Sequence, residues 1–373
     1  MTNLKSLPSH APCVYRHAIT LALVFAPLWA GNASVAQTAY NTPGNILIAD
    51  QFNNRVVEVD QNHNIVWQFG TGSTKAGPYS VVAPNDAERV GDLTLISGTG
   101  APPGLEPQCP GGCPDNRVFL VNQAGQIVWQ YSNTGVWGWG GQLSAPVCAV
   151  FLPNKHLLIT DQGNQRVVDV TQRGKLVWQY GKTGVAGSGF NELSSPNSSE
   201  LLPSGNILIA DEGNNRVIEV NRNQQIVWQY GNPNDTNILN GPGFASRVGI
   251  GNTLITDGNN NRILEVTPSG TVVFTYYTNN RSGSISSPAP SHAVRLYNGN
   301  TLISDQINNQ VIEVDPTGNI VFSQGQVNVA GTGFNQLNWP YDAKMIGDYT
   351  GITASYGSFF RLIHTLWDNQ LIY

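Results

Sequence analysis

The chain has 373 residues, a formal net charge of −5 and only 12% charged residues, well under the roughly 25% of an ordinary soluble protein. Asn, Gln, Ser, Thr and 40 glycines carry its polarity instead, which suits turns and sheet rather than charged helices. No basic stripe is visible, and this excludes nucleic acid as a partner.

Residues 1–36 read as a secretory signal. Lys5, Arg16 and His17 precede the apolar run Ala18 to Gly31, and Ser34 and Ala36 are the small residues a signal peptidase prefers before Gln37. No later stretch approaches about 20 apolar residues, so no membrane span is predicted for the mature chain. Cys13 lies ahead of the apolar run, which argues against a lipoprotein cleavage site. The expectation is a secreted or periplasmic protein whose residues 37–373 form a single domain.

The interval from Arg55 to Trp67 then recurs. Arg117 to Trp129, Arg166 to Trp178, Arg216 to Trp228 and Arg262 to Phe274 repeat it without insertion or deletion, and Gln310 to Phe322 and Arg361 to Tyr373 keep it with substituted ends. A fixed internal length repeated in this way marks a structural module. One copy shows the parts: Gly205 to Asp211 (GNILIAD), Asn215 to Val220 (NRVIEV) and Gln225 to Tyr230 (QIVWQY). These short β-branched runs, bounded by Gly, Asn, Pro and Asp, predict strands divided by tight turns. Four such strands per unit match a propeller blade. The fold class predicted is therefore all-β, a β-propeller of about seven four-stranded blades. Gln37 to Asn41 would supply the first innermost strand, with no strand exchange between the termini. Six blades result instead if residues 348–373 pack outside the ring.

Each Trp is expected to plug the wedge between neighbouring blades, far from the axis. The Asp that stands five residues before the Arg (Asp50, Asp161, Asp211, Asp257) reads as a turn residue pairing with it. A calcium ladder would need closely spaced carboxylates that these copies lack. The second unit has Gly98 at that place and then an insertion, in which Cys109 and Cys113 are placed for a short disulfide. The Gly-rich loop after it carries Trp137 and Trp139, which could stack on a ligand or tuck against blade edges.

The innermost strands are signalled by Pro84, Pro146, Pro196, Pro242, Pro290 and Pro340. Two residues on stand Asp86, Cys148, Ser198, Phe244, His292 and Asp342. Purely structural copies should agree here, and they do not. This makes the channel mouth the candidate site, with Asp86, Glu88, Asp342 and Lys344 as ligand-binding residues, joined by Trp137 and Trp139. Asp86, His292 and Asp342 would share a metal only if their three blades converge on the axis, so no metal site is predicted.

The repeat resembles NHL repeats in its Asp211 to Val217 core, and it is similar to bacterial and archaeal arylsulfotransferase-like propellers in its Gly-Asn-Ile-Leu-Ile and Ile-Val-Trp segments. The resemblance covers essentially all of 37–373. It implies the propeller, and it leaves activity open because such folds host binders, lyases, sulfotransferases and scaffolds. The second likeness implies a central histidine nucleophile flanked by basic groups, for which His292, Arg295 and Arg247 are the candidates. The family's second central histidine has no counterpart here. The preferred expectation is a module that binds a small molecule or protein at its channel mouth. The alternative is an arylsulfotransferase-like or lyase-like enzyme at the same place. The outer-strand tryptophans also raise a quinone cofactor, and the sequence names no other.

Overall fold

The computed structural model describes residues 40–131, 143–249 and 251–348. They form six antiparallel four-stranded sheets arranged as propeller blades, all within the unit Thr38–Tyr373. Blade 2 is β4 (Pro84–Val90), β5 (Leu93–Ala101), β6 (Cys113–Val121) and β7 (Ile127–Tyr131). Blade 3 is β8 (Pro146–Phe151), β9 (His156–Asp161), β10 (Arg166–Thr171) and β11 (Leu176–Tyr180). Blade 4 is β12 (Pro196–Leu201), β13 (Ile207–Asp211), β14 (Arg216–Val220) and β15 (Ile226–Gly231). Blade 5 is β16 (Pro242–Val248), β17 (Asn252–Asp257), β18 (Arg262–Val266) and β19 (Val272–Tyr277). Blade 6 is β20 (His292–Arg295), β21 (Thr301–Asp305), β22 (Gln310–Val314) and β23 (Ile320–Gln324).

Blade 1 corrects the expected count. Its outer three strands are β1 (Ile46–Asp50), β2 (Arg55–Val59) and β3 (Ile65–Phe69), and its innermost strand is β24 (Pro340–Met345). β24 pairs antiparallel with β1, with Ile46 opposite Met345 and Ala49 opposite Asp342. The strand expected to open a seventh blade therefore completes the first, and the termini do exchange a strand. Pairing the two ends of the array in one sheet removes the sheet edges an open ring would expose. Tyr40 and Asn41 sit in a turn instead, bonded to the carbonyls of Asp92 at 2.9 Å and Gly91 at 3.1 Å. The signal at 1–36, Trp137, Trp139 and the repeat Arg361 to Tyr373 lie outside the described residues.

The recurring polar residues latch the blades. In five blades a 3-10 turn follows the recurring Asp position and ends on a left-handed residue, such as Asn54 at φ 50° or Asn215 at φ 49°. That residue's side chain accepts a hydrogen bond from the N–H just before the next blade's innermost proline. Asn54 takes Ala83 (2.8 Å), Asn116 takes Ala145 (2.8 Å), Gln165 takes Ser195 (2.6 Å), Asn215 takes Gly241 (2.9 Å), Asn261 takes Ala289 (3.1 Å) and Asn309 takes Trp339 (3.0 Å). The circuit runs once round the ring. Within blades 1, 3, 4 and 5 the Asp accepts the N–H two before the proline and pairs with its Arg, as in Asp211 with Ser194 (2.8 Å) and Arg216 (2.7 Å).

Two blades break the rule and compensate. In blade 2, Asp115 caps Val82 at 2.7 Å and pairs with Arg117, so its carboxylate fills the place of the missing Asp. A Cβ on Gly98 would lie 2.6 Å from that carboxylate. Gly98→Ala is therefore expected to cost about 1–3 kcal/mol by overpacking, read as a lowered denaturant midpoint. In blade 6, Gln310 replaces the Arg, and Arg281 from the preceding loop pairs with Asp305 at 2.5 Å. The residue two before Pro290 is Pro288, which has no N–H, and the Oδ1 of Asp305 is left without a partner.

Far from the axis the tryptophans act as wedges. The indoles of Trp67, Trp129, Trp178 and Trp228 donate to carbonyls in the next blade's turn, at Gln123 (3.0 Å), Gln172 (2.9 Å), Arg222 (3.1 Å) and Pro268 (2.9 Å). Each ring fills the widening gap and pins two blades at once.

Candidate functional site

An innermost strand pairs on one side only, so its other edge points N–H and C=O groups at the axis, where they need partners. A bulge after the innermost proline in blades 2 to 5 sets the register of the side chains that supply them. Asp342 accepts Ala87 N–H at 3.0 Å, Asp86 accepts Ala149 N–H at 2.8 Å, and Ser198 accepts Ala245 N–H at 3.2 Å. Glu88 accepts Phe151 N–H at 3.3 Å and Glu200 accepts Arg247 N–H at 2.9 Å. Any acceptor serves this purpose, so Asp86, Ser198 and Asp342 can differ and still cap the next strand, while Phe244 and His292 make no such bond.

Four candidates do come together. The Lys344 ammonium lies 2.5 Å from Asp86 Oδ1, 2.6 Å from Asp342 Oδ2 and 3.1 Å from the Ala87 carbonyl. Glu88 is close enough to feel the same charge. Burial alone would lower the Lys344 pKa, but Asp342 and Asp86 outweigh it and hold the ammonium well above its usual value. Burial pushes Asp86 up against the pull of Lys344, and it pushes Glu88 up to about 8. The ammonium occupies the point between carboxylates where a metal ion would sit. Among the described residues no group of His, Cys, Asp and Glu is disposed to hold one.

His292 joins this cluster without its predicted partners. It is only 5% exposed. Its ring lies 3.8 Å from that of Phe244, centroid to centroid. Its Nε2 is 3.1 Å from Asp342 Oδ1, yet the angles fall outside hydrogen-bond geometry and both atoms count as unpartnered. A small rotation of the ring would complete the bond. Burial, then Lys344, holds the imidazole well below its usual pKa. Arg295 and Arg247 are elsewhere. Arg295 pairs with Glu265 at 2.8 Å and lies over Phe274, and Arg247 pairs with Glu219 at 2.6 Å over Trp228. Arg89 repeats the arrangement with Glu58 at 2.6 Å and Trp67. These arginines face the neighbouring blade, not the axis.

Tyr341, beside Asp342 on β24, carries no signal in the repeat that marks it for the axis. Tyr341 exchanges hydrogen bonds with Asn197 at 2.7 and 3.1 Å, which joins blade 1 to the opposite blade 4. Asn197 also donates to Glu212 at 2.7 Å, and the side-chain amide of Gln306 donates to Gln51 at 3.0 Å, which donates in turn to Asn85 at 2.8 Å. Burial raises the pKa of Glu212 and Tyr341.

At the proline end of the ring, three loops expose aromatic side chains that sequence reasoning also missed: Phe190 (71% exposed), Phe334 (69%) and Tyr79 (64%). The signal was present, since Val185 to Leu193 (VAGSGFNEL) is repeated as Val329 to Leu337 (VAGTGFNQL). Both copies fold alike. Gly187 N–H donates to Leu193 and Gly331 N–H to Leu337, at 3.0 and 3.1 Å. Glu192 and Gln336 each accept the N–H of Gly189 or Gly333 at 3.1 Å. In blade 2, Cys109 and Cys113 are joined by a disulfide, S–S 2.05 Å, in the β5–β6 hairpin.

Among the described residues no helix is long and apolar enough to cross a membrane. Residues 52–324 match the family described as outer membrane protein assembly factor BamB. A solved protein of unknown function from Bacteroides caccae is 15% identical, covering 76% of this chain and 93% of its own, at a TM-score of 0.54. Virginiamycin B lyase from Staphylococcus aureus is 15% identical over 67% of this chain and 75% of its own, with a TM-score of 0.45. A chain of a nidogen/laminin complex is 12% identical over 75% and 92%, with a TM-score of 0.49. At these identities the first likeness speaks for the fold alone, and the other two carry no argument. No functionally curated protein matches the chain. The family match runs from blade 1 to blade 6, and the chain belongs to the BamB outer membrane protein assembly factor family.

Proposed function

We propose that this protein is an exported docking module that serves outer-membrane protein assembly. In this reading it holds a polypeptide partner with the loops around the proline end of its channel and does not turn a substrate over. The observation that carries this is the contrast between axis and rim. Asp86, Asp342, Lys344 and Glu88 are buried and bonded to one another or to the backbone. Phe190, Phe334 and Tyr79 stand in water on loops of which two close on themselves. Apolar rings on rigid loops are what a protein interface uses as anchors. The arylsulfotransferase-like or lyase-like alternative draws no support from Arg247 and Arg295, which pair between blades. The indoles considered for a quinone donate to neighbouring carbonyls instead.

The test is genetic and direct. In the native host, deletion of the gene is expected to lower the amount of folded β-barrel protein in the outer-membrane fraction, and the wild-type gene to restore it. Phe190→Ser with Phe334→Ser, melting like wild type, is expected to restore it poorly. An anchor of about 2 kcal/mol corresponds to roughly thirtyfold in affinity. Barrel levels that ignore the deletion, or full rescue by the double variant, would overturn the proposal.

A further inference from the structure

Directly across from the wedge ring, the third strand of a blade carries an acid in five of the six blades. Glu58, Asp169, Glu219, Glu265 and Glu313 face Trp67, Trp178, Trp228, Phe274 and Phe322 respectively, and blade 2 has Leu120 at this place. Four of the acids hold a guanidinium. Glu58, Glu219 and Glu265 take the arginine at the fifth position after the next blade's innermost proline: Arg89 at 2.6 Å, Arg247 at 2.6 Å and Arg295 at 2.8 Å. Blade 4 has Leu201 at that position, and Asp169 is served from the solvent side instead. Arg222, in the turn before the outer strand, reaches it at 3.1 Å with its own side chain 40% exposed. Each of the four guanidinium groups lies over the wedge ring of its seam, at 5.0 Å for Arg89, 5.2 Å for Arg222, 5.0 Å for Arg247 and 4.7 Å for Arg295.

At the seam from blade 6 to blade 1, both sources of this cation are replaced. Met345 stands at the inner position and Gln61 at the turn position that Arg222 holds in blade 4. The acid is kept. Glu313 Oε1 accepts Asn298 at 3.2 Å and Asn300 at 2.6 Å, as the other three glutamates accept Asn45, Asn206 and Asn252. Among the described residues no cation pairs with its second oxygen. His63 stacks on Phe322 at 5.4 Å, but its Nδ1 is taken by Gln324 at 3.0 Å. A methionine side chain stops where the Nε of an arginine stands, so the guanidinium carbon and both terminal nitrogens have no counterpart here. Their place is the solvent end of the seam, not the core: Met345 and Phe322 are half-buried and Gln61 is exposed.

We propose that this seam is a binding site for a guanidinium group, which pairs with Glu313 beside Phe322. The four filled seams show the chemistry it selects, a planar fork of donors that bonds a carboxylate and lies on a ring. An arginine side chain of a polypeptide offers that chemistry, and so does a free guanidino compound. The site lies at the end of the ring opposite the exposed aromatic loops and does not depend on the docking reading.

The experiment titrates the full chain with N-acetyl-arginine N-methylamide, its neutral isostere N-acetyl-citrulline N-methylamide and methylguanidine, followed by ligand-observed NMR at low salt. A Kd on the order of 1–10 mM is expected for the arginine compound, weakening with added salt, and no binding for the citrulline compound. Binding of the arginine compound several-fold tighter than methylguanidine assigns the polypeptide source, and equal binding assigns the free compound. Gln61→Arg copies Arg222 at an exposed turn position. It is expected to fill the site from within, raising Tm by about 1–3 °C and abolishing binding. Glu313→Gln keeps an acceptor for Asn298 and Asn300 and is expected to abolish binding as well. The proposal is overturned if the arginine compound does not bind, if the citrulline compound binds equally well, or if either variant, folded, binds like wild type.

Discussion

Replacing Lys344 by methionine is expected to cost about 3–5 kcal/mol of folding stability, the range for breaking a buried ion pair from one side. The substitution leaves Asp86 and Asp342 facing each other in the interior with no cation between them. Each still has to cap a backbone N–H of the next innermost strand, so neither can turn away. Adding Asp86→Asn and Asp342→Asn removes the stranded charges and keeps the amide oxygens as acceptors. The triple variant is expected to recover most of the loss, because an interior without charges is no worse than a paired one. Denaturant unfolding of wild type, single and triple variants measures both steps. If K344M were as stable as wild type, the axial cluster would not be holding the blades.

The second large effect is a fall in stability between about pH 6.5 and 8. Burial, opposed by Lys344, pushes Glu88 from its usual 4.5 up to about 8. A carboxyl with a higher pKa folded than unfolded binds its extra proton only in the folded state. The stability this gives is complete below the unfolded value and is lost as pH rises through the folded one. His292 works in the other direction, because burial and Lys344 hold it well below 6.5 and folding is weakened as pH drops under that value. Between about 4.5 and 6.5 the two effects oppose each other, and above 6.5 Glu88 prevails. At 1.36 kcal/mol per unit, the loss over this window is about 2 kcal/mol. Glu88→Gln keeps an acceptor for Phe151 N–H and removes the titration. Asp86 is displaced in the same sense as Glu88, so the telling quantity is the difference between wild type and E88Q. The stability of wild type relative to E88Q is expected to fall as pH rises from 6 to 8 and to level off above that, and a relative stability independent of pH would contradict the assignment.

The blade was legible because it is local. A twelve-residue interval between a turn arginine and an outer-strand indole fixes two strands and their hairpin whatever the rest of the chain does. The number of blades was not, because Pro340 to Ala343 reads the same whether it opens a new sheet or completes an old one. Its partner β1 is set by closure of the ring, which no local signal records. The axis was half legible. Proline spacing located Asp86, Asp342 and Lys344, but the free strand edge that they satisfy is a property of the assembled sheet. His292 and Arg295 could have been separated from sequence alone. Residues an odd number apart on a strand project from opposite faces, and Glu58, Glu219 and Glu265 already stood in the repeat as partners for the arginines. The exposed aromatic loops are hidden for the opposite reason: the axial positions stand out because the copies differ there, while Phe190 and Phe334 sit where two copies agree.

Amide hydrogen exchange on the innermost strands reports most directly on whether the axis is sealed. With side chains of one blade capping the free edge of the next, the N–H groups of Ala87, Ala149 and Ala245 are expected to exchange only on global unfolding, as slowly as those in the middle strands. Exchange of these three within seconds at neutral pH, with the middle strands still protected, would mean an open, wetted channel and a different place for function.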